Sequence, residues 1–176
     1  MLYLKQPLHS MIALILMALT SLSSATSLDS TKHSSGIIHF FNDKGEEKCT
    51  LAVPESNQYF NFGADNEYCE NNMVSTFWLE NVPSATLIQF YANESCSDAH
   101  TPQNFYIKFK TVKNFTDWGN QANASSVDSL RNLRKGWLLP NKNIRIEASF
   151  VGSKFDTQSL NEQLSCVYIE RSQPVN

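Results

Sequence analysis

Asn71, Asn72, Ser75 and Thr76 crowd amide and hydroxyl oxygens into one short stretch, 70–80, and the carbonyl of Met73 lies between them. Hard cations, Ca²⁺ above all, are bound by neutral and carboxylate oxygens of this kind. Phe77, Trp78 and Leu79 follow at once. Aromatic and apolar residues in such a run read as a buried strand, so the oxygen-rich loop feeds straight into a sheet. The plainer alternative is that Asn72 and Ser75 only cap the loop through side-chain to backbone hydrogen bonds.

The elements that position this loop are read from the whole chain of 176 residues, long enough for one domain with a proper core. Its start is not structural. Lys5 and His9 precede an apolar run over 11–22 and then Ser23-Ser24-Ala25, the pattern of a secretory signal peptide cut near Ala25. The run is too short to span a bilayer, which takes roughly 20 residues. Residues 1–25 are therefore expected to be a leader, 26–35 a flexible lead-in, and the protein secreted or periplasmic. Four cysteines remain, Cys49, Cys69, Cys96 and Cys166. An even number in an exported chain favours disulfides, and three pairings are open. No CxxC half-site or histidine pair makes them a metal site.

Catalytic chemistry has little to build on. His33 falls in the lead-in, His39 alternates along a strand, and His100 sits in a loop beside Asp98. No nucleophile elbow, HExxH helix or P-loop gives them geometry. Glu46 and Glu47 are neighbours on a strand and point to opposite faces. The net charge is −3 with Lys and Arg scattered, so no nucleic-acid partner is expected. Sequons occur at Asn93, Asn114 and Asn123, about as many as the abundance of Asn, Ser and Thr produces by chance.

Strands are expected at 37–41, 46–53, 59–63 and from Phe77 towards Pro83, then at 86–91 and 105–111, followed by 127–133. In 105–111, Phe105, Ile107 and Phe109 share one face, and Tyr106, Lys108 and Lys110 share a wet one. Residues 36–83 and 84–135 thus read as two copies of a four-strand unit, packed face to face as an antiparallel sandwich. In the tail, 136–176, Ile144, Ile146, Ala148 and Phe150 share a face. That strand and 164–170 are expected to form a C-terminal β-hairpin docked on the 36–135 domain and tethered by Cys166.

Asn71-Asn72-Met73-Val74-Ser75-Thr76 resembles the βγ-crystallin calcium motif, two Asn/Asp residues, two free positions, Ser/Thr and usually Ser, with Thr76 a mild departure. Asp117-Trp118-Gly119 with Asn123-Ala124 and Asp128-Ser129-Leu130-Arg131 is similar to the end of a crystallin Greek key, about 50 residues on. The resemblance implies an all-β domain of two Greek keys over about 100 residues. It implies calcium ligands from Asn71 or Asn72, the Met73 carbonyl and Ser75, completed by the partner unit's first hairpin near Asn93 and Glu94, or near Asp43 and Lys44 in the reverse direction. The second motif puts Ala124-Ser125 where amides or acids belong, so at most one good site is expected. The family's aromatic hairpin pattern is not kept: Glu46 and Lys48, or Cys96 and Asp98, stand at its positions.

The functional expectation is a secreted, non-catalytic binding or structural protein stabilised by Ca²⁺, with an unknown extracellular protein or surface as partner. The alternative is an extracellular inhibitor or toxin acting through an exposed loop. Its candidate contacts are Ser95 and Pro102, in a loop restrained by Cys96, and Trp137 in 137–140, since Trp often anchors interfaces.

Overall fold

The computed structural model describes residues 36–63 and 68–172. The expected leader and lead-in lie outside the described residues. Among the described residues eleven strands make two antiparallel sheets. Sheet A holds β1 (Ile37–Phe41), β2 (Glu47–Ala52), β4 (Thr76–Val82), β7 (Thr116–Trp118) and the short β8 (Ser125–Ser126). Sheet B holds β3 (Gln58–Asn61), β5 (Thr86–Tyr91), β6 (Phe105–Thr111), β9 (Leu138–Leu139), β10 (Ile144–Val151) and β11 (Cys166–Arg171). Turn chemistry sets the first hairpin. Asn42 Oδ1 accepts from Lys44 N at 3.0 Å and Glu46 N at 2.9 Å, and Gly45 takes φ +77°, which costs glycine little.

The strand orders of the two sheets match. Sheet A runs β2-β1-β4-β7 and sheet B, in the same sense, β6-β5-β11-β3. In each, the second, first and fourth strands of one unit are followed by the third strand of the other. β3 has crossed into sheet B and β7 into sheet A. The β9–β10 hairpin then extends sheet B beyond β6.

Three expectations are corrected by this topology. Residues 127–133 form no strand; Asp128–Leu130 is a single 3₁₀ turn. The fourth strand of the second unit is β11, reached only after a long insertion. The expected C-terminal hairpin does not form either, because β10 pairs with β6 and β9, while β11 lies between β3 and β5. The reason is burial. Val167 and Ile169 enter the main core, and Cys166 is buried on the other face. A strand apolar on both faces belongs in a sheet interior.

One apolar face of each sheet meets in a shared core. Phe40 and Phe77 of sheet A pack on Phe90 of sheet B with ring centroids 5.9 and 5.0 Å apart, and Phe77 also meets Trp118 at 5.1 Å. Phe77 meets Phe90 and Trp118 edge to face, a geometry that suits the ring quadrupoles. Phe105, Ile107 and Phe109 are in this core as their alternation requires. The opposite face of β6 is less wet than expected, because Tyr106 is buried with Tyr91, Cys96 and Cys166 in a second small core. The single face expected for β10 is also corrected. A register shift between Ile146 and Ala148 leaves Ile144 and Ile146 in the main core and turns Ala148 and Phe150 to the second one.

Candidate functional site

The loop 71–75 enters β4 and starts two residues after Cys69, which is bonded to Cys49. Ser75 N donates to Phe41 O at 2.8 Å, tying the loop to the end of β1. Asn72 sits at φ +56°, a left-handed conformation that Asn tolerates better than most residues. Its side chain does not cap its own loop. Asn72 Oδ1 accepts from Ser165 Oγ at 3.3 Å, and Ser75 Oγ donates to Glu162 Oε1 at 3.5 Å.

Those partners belong to a second loop of the same kind. Asn161-Glu162-Gln163-Leu164-Ser165 leads into β11 as Asn71-Asn72-Met73-Val74-Ser75 leads into β4. Glu162 has φ +59°, matching Asn72. Ser165 N donates to Tyr91 O at 2.9 Å, at the end of β5, as Ser75 N does to Phe41 O. The backbones cross-bond reciprocally: Asn72 N donates to Leu164 O at 3.3 Å, and Glu162 N to Val74 O at 2.7 Å. Two N-x-x-apolar-Ser loops thus clasp about a local twofold.

The counterpart of the first motif is therefore 161–165, and the expected second motif over 117–131 is not. Asp117 Oδ1 accepts from Asn81 N at 2.8 Å on the β4–β7 seam. The signal at 161–165 was present as asparagine, two free positions, an apolar residue and serine. It was hidden because the insertion between β7 and β11 moved it far from the expected spacing.

The two loops differ in one respect. Asn161 Oδ1 accepts from Ser126 Oγ and Asp128 N, both at 2.9 Å, so the insertion satisfies it. Asn71 Oδ1 is buried without a hydrogen-bond partner, while its Nδ2 donates to Glu94 Oε1 at 3.0 Å. A buried amide oxygen left unpaired costs about 1–3 kcal/mol. Glu94 comes from the first hairpin of the second unit and lies over Gly63, where any Cβ would collide with its carboxylate arm.

Of the four residues expected as metal ligands, Asn71 alone combines an unpaired side-chain oxygen with a neighbouring carboxylate. Asn72 and Ser75 are engaged across the clasp, and Met73 is half-buried between them. No cluster of three or more His, Cys, Asp or Glu suited to a metal ion occurs among the described residues. The side-chain oxygens at this point are the Asn71 amide oxygen and the Glu94 carboxylate, which accepts from the Asn71 amide nitrogen.

Asp128 pins the insertion. Its Oδ1 accepts from Leu160 N at 2.8 Å and Arg131 Nη2 at 2.6 Å. Burial alone would raise its pKa, but these bonds outweigh burial and hold the carboxyl below its ordinary value. Because the folded value is the lower one, this stabilisation is present above the unfolded pKa and is lost as pH falls through the folded one. Thermal melts between about pH 2 and 7 should show a falling acid limb below about pH 4 that Asp128→Asn flattens. An identical acid limb in the variant would refute the assignment.

The disulfides pair as Cys49–Cys69 and Cys96–Cys166, each with Cα atoms 5.4 Å apart, and no free cysteine remains. Such bonds suggest a non-reducing, extracellular environment. No helix among the described residues is long and apolar enough to cross a membrane. Cys96 anchors the loop 93–104 over the outer face of sheet B. Asn93 Nδ2 donates to Asn104 Oδ1 at 2.6 Å, Asn104 Nδ2 reaches Ser97 O and Ala99 O, and Lys108 Nζ meets Asp98 Oδ2 at 2.6 Å. Burial, with Asp98 adding to it, pushes the Tyr91 hydroxyl beneath this loop far above its ordinary pKa. Ser95 and Pro102 are exposed on it, whereas exposed Trp137 lies at the other end of β10 in a separate segment. His39 stacks on Trp78 at 4.0 Å, and its ring nitrogens lie 3.0 Å from Glu47 and 2.9 Å from Glu80. Comparison with family models, with curated proteins and with solved structures finds no match for this chain.

Proposed function

We propose that this chain is a secreted, non-catalytic binding or structural protein of βγ-crystallin type, built from two interlocked Greek keys and stabilised by one calcium ion at the loop 71–75. The observation that carries this reading is the clasp of two matching Asn-to-Ser loops, one of which keeps a buried, unpaired oxygen on Asn71, whose amide nitrogen meets the Glu94 carboxylate. The strand exchange of β3 and β7 supports the two-unit reading. Calcium would be held by Asn71, Glu94 and neighbouring carbonyls, supplying the positive charge that the Asn71 oxygen and Glu94 both favour. With both His39 nitrogens held by carboxylates on a sheet face, that residue is a structural tie and not a base.

Thermal melts in excess Ca²⁺ and in chelator test this. At a hundredfold excess over Kd, linkage adds about 2.7 kcal/mol, which is a rise of roughly 5–10 °C for a domain of this size. Asn71→Ala and Glu94→Gln should remove the rise, and Asn161→Ala should keep it. Equal melting temperatures in calcium and chelator would overturn the calcium assignment. A second reading, an inhibitor or toxin, is favoured by the cross-tied loop 93–104. It predicts activity that survives chelator and is lost on substitution of Ser95 or Pro102.

A further inference from the structure

Val112, Phe115, Trp137 and Leu138 are 45, 44, 49 and 55% exposed, and with Tyr59 they are the large apolar side chains that the described residues leave in water. Tyr59 stands apart on β3, at the opposite edge of sheet B, stacked on Tyr168. The other four converge at the β9 edge. Val112 N donates to Asn143 O at 2.9 Å, setting the loop after β6 against the 140–143 turn. Leu138 pairs with Arg145, whose other neighbour across the sheet is Lys110. Phe115 immediately precedes β7, which packs on the Pro140–Lys142 turn. Exposed apolar residues gathered from separate segments mark an interaction site more strongly than scattered ones do.

The surrounding charge names the partner. From Ser129 to Ile146 the chain carries five cations, Arg131, Arg134, Lys135, Lys142 and Arg145, and no acid, in a protein whose net charge is −3. Lys113 stands beside Phe115. Among the described residues Lys113, Arg134, Lys135 and Lys142 have no carboxylate partner. The edge strand β9 has only two residues, too short a template for adding a partner's strand. Apolar and aromatic tips ringed by unpaired cations are the composition of surfaces that sit at the headgroup level of anionic bilayers.

We propose that this end of the protein docks on an anionic lipid bilayer, with Trp137, Leu138, Phe115 and Val112 entering the headgroup region and Lys113, Arg134, Lys135 and Lys142 meeting lipid phosphates. The test uses the chain recovered after export, with both disulfides closed, in chelator so that calcium does not bridge protein and lipid. Vesicles of equal phosphatidylglycerol and phosphatidylcholine should sediment the protein and shift its tryptophan emission to the blue. Trp118 is buried at 4% exposure and Trp78 is half-buried in a stack with His39, so Trp137, 49% exposed, is the ring best placed to respond, and Trp137→Ser should remove the shift. Trp137→Ser and Phe115→Ser should each weaken partitioning about tenfold. The triple variant Lys113→Glu, Lys135→Glu, Lys142→Glu should abolish it, and about 0.5 M salt should weaken the wild type. Melting temperatures should change little in these variants, since Phe115, Trp137, Lys113 and Lys135 are exposed and Lys142 is half-exposed on a turn. The proposal is overturned by equal partitioning into pure phosphatidylcholine, by variants that bind like wild type, or by retention on heparin without vesicle binding, which would assign the cations to a soluble polyanion.

Discussion

Phe77→Ala is expected to destabilise the fold by about 3–5 kcal/mol, the range for removing a fully buried phenylalanine. Phe77 is 0% exposed and touches Phe90, Phe109 and Trp118, so it bridges the two sheets at their centre. The cavity would be lined by rings held on three different strands, β5, β6 and β7, which resist collapse into the space. Urea unfolding measures this as a lower midpoint with an unchanged slope. A loss under about 1 kcal/mol would mean that the sheets can close over the gap, and the face-to-face packing described for this core would be wrong. Phe77→Leu, which keeps most of the volume, should lose much less.

Opening the Cys96–Cys166 bridge with a double alanine substitution should be the second large effect. The bond spans 70 residues and the other disulfide 20. Chain-entropy reasoning assigns roughly 4 kcal/mol to the long bridge against roughly 3 to the short one. Structure widens the gap. Cys166 follows Ser165 of the clasp, Cys96 lies two residues beyond Glu94, and both sulfurs cover Tyr91 and Tyr106. Losing the bridge therefore frees the second core as well as the hairpin that carries Glu94. Denaturant melts of the two double variants, with and without calcium, check both consequences. A smaller loss for the Cys96–Cys166 variant than for Cys49→Ala/Cys69→Ala would refute this ordering.

How much of this was legible in the chain varies by level. The strands at Ile37–Phe41, Thr86–Tyr91 and Phe105–Thr111 appear at the positions their apolar residues mark, because a short apolar run of strand length signals a buried strand and, in Phe105–Thr111, alternation adds a period of two. Asn71 and Glu94 were both in view, and the structure brings them to 3.0 Å. The second loop was not, since nothing in Asn161–Ser165 is distinctive until Ser75 and Asn72 are seen bonded to it. Two four-strand units were sought within 36–135, but β11, which takes the place in sheet B that β4 takes in sheet A, lies beyond an insertion that no local signal delimits.

The sequence by itself determined the all-β class, most strand positions, the buried face of β6 and an oxygen-rich loop ahead of β4. These follow from residue type and alternation, which act over a few residues. Only the tertiary structure decided which strand β11 joins, which cysteines pair, where the register of β10 shifts, and that Asn161 is satisfied while Asn71 is left open. Each of those is a choice between partners far apart in the chain. Such choices are settled by what two sheets can bury together, a quantity that no single stretch of sequence contains.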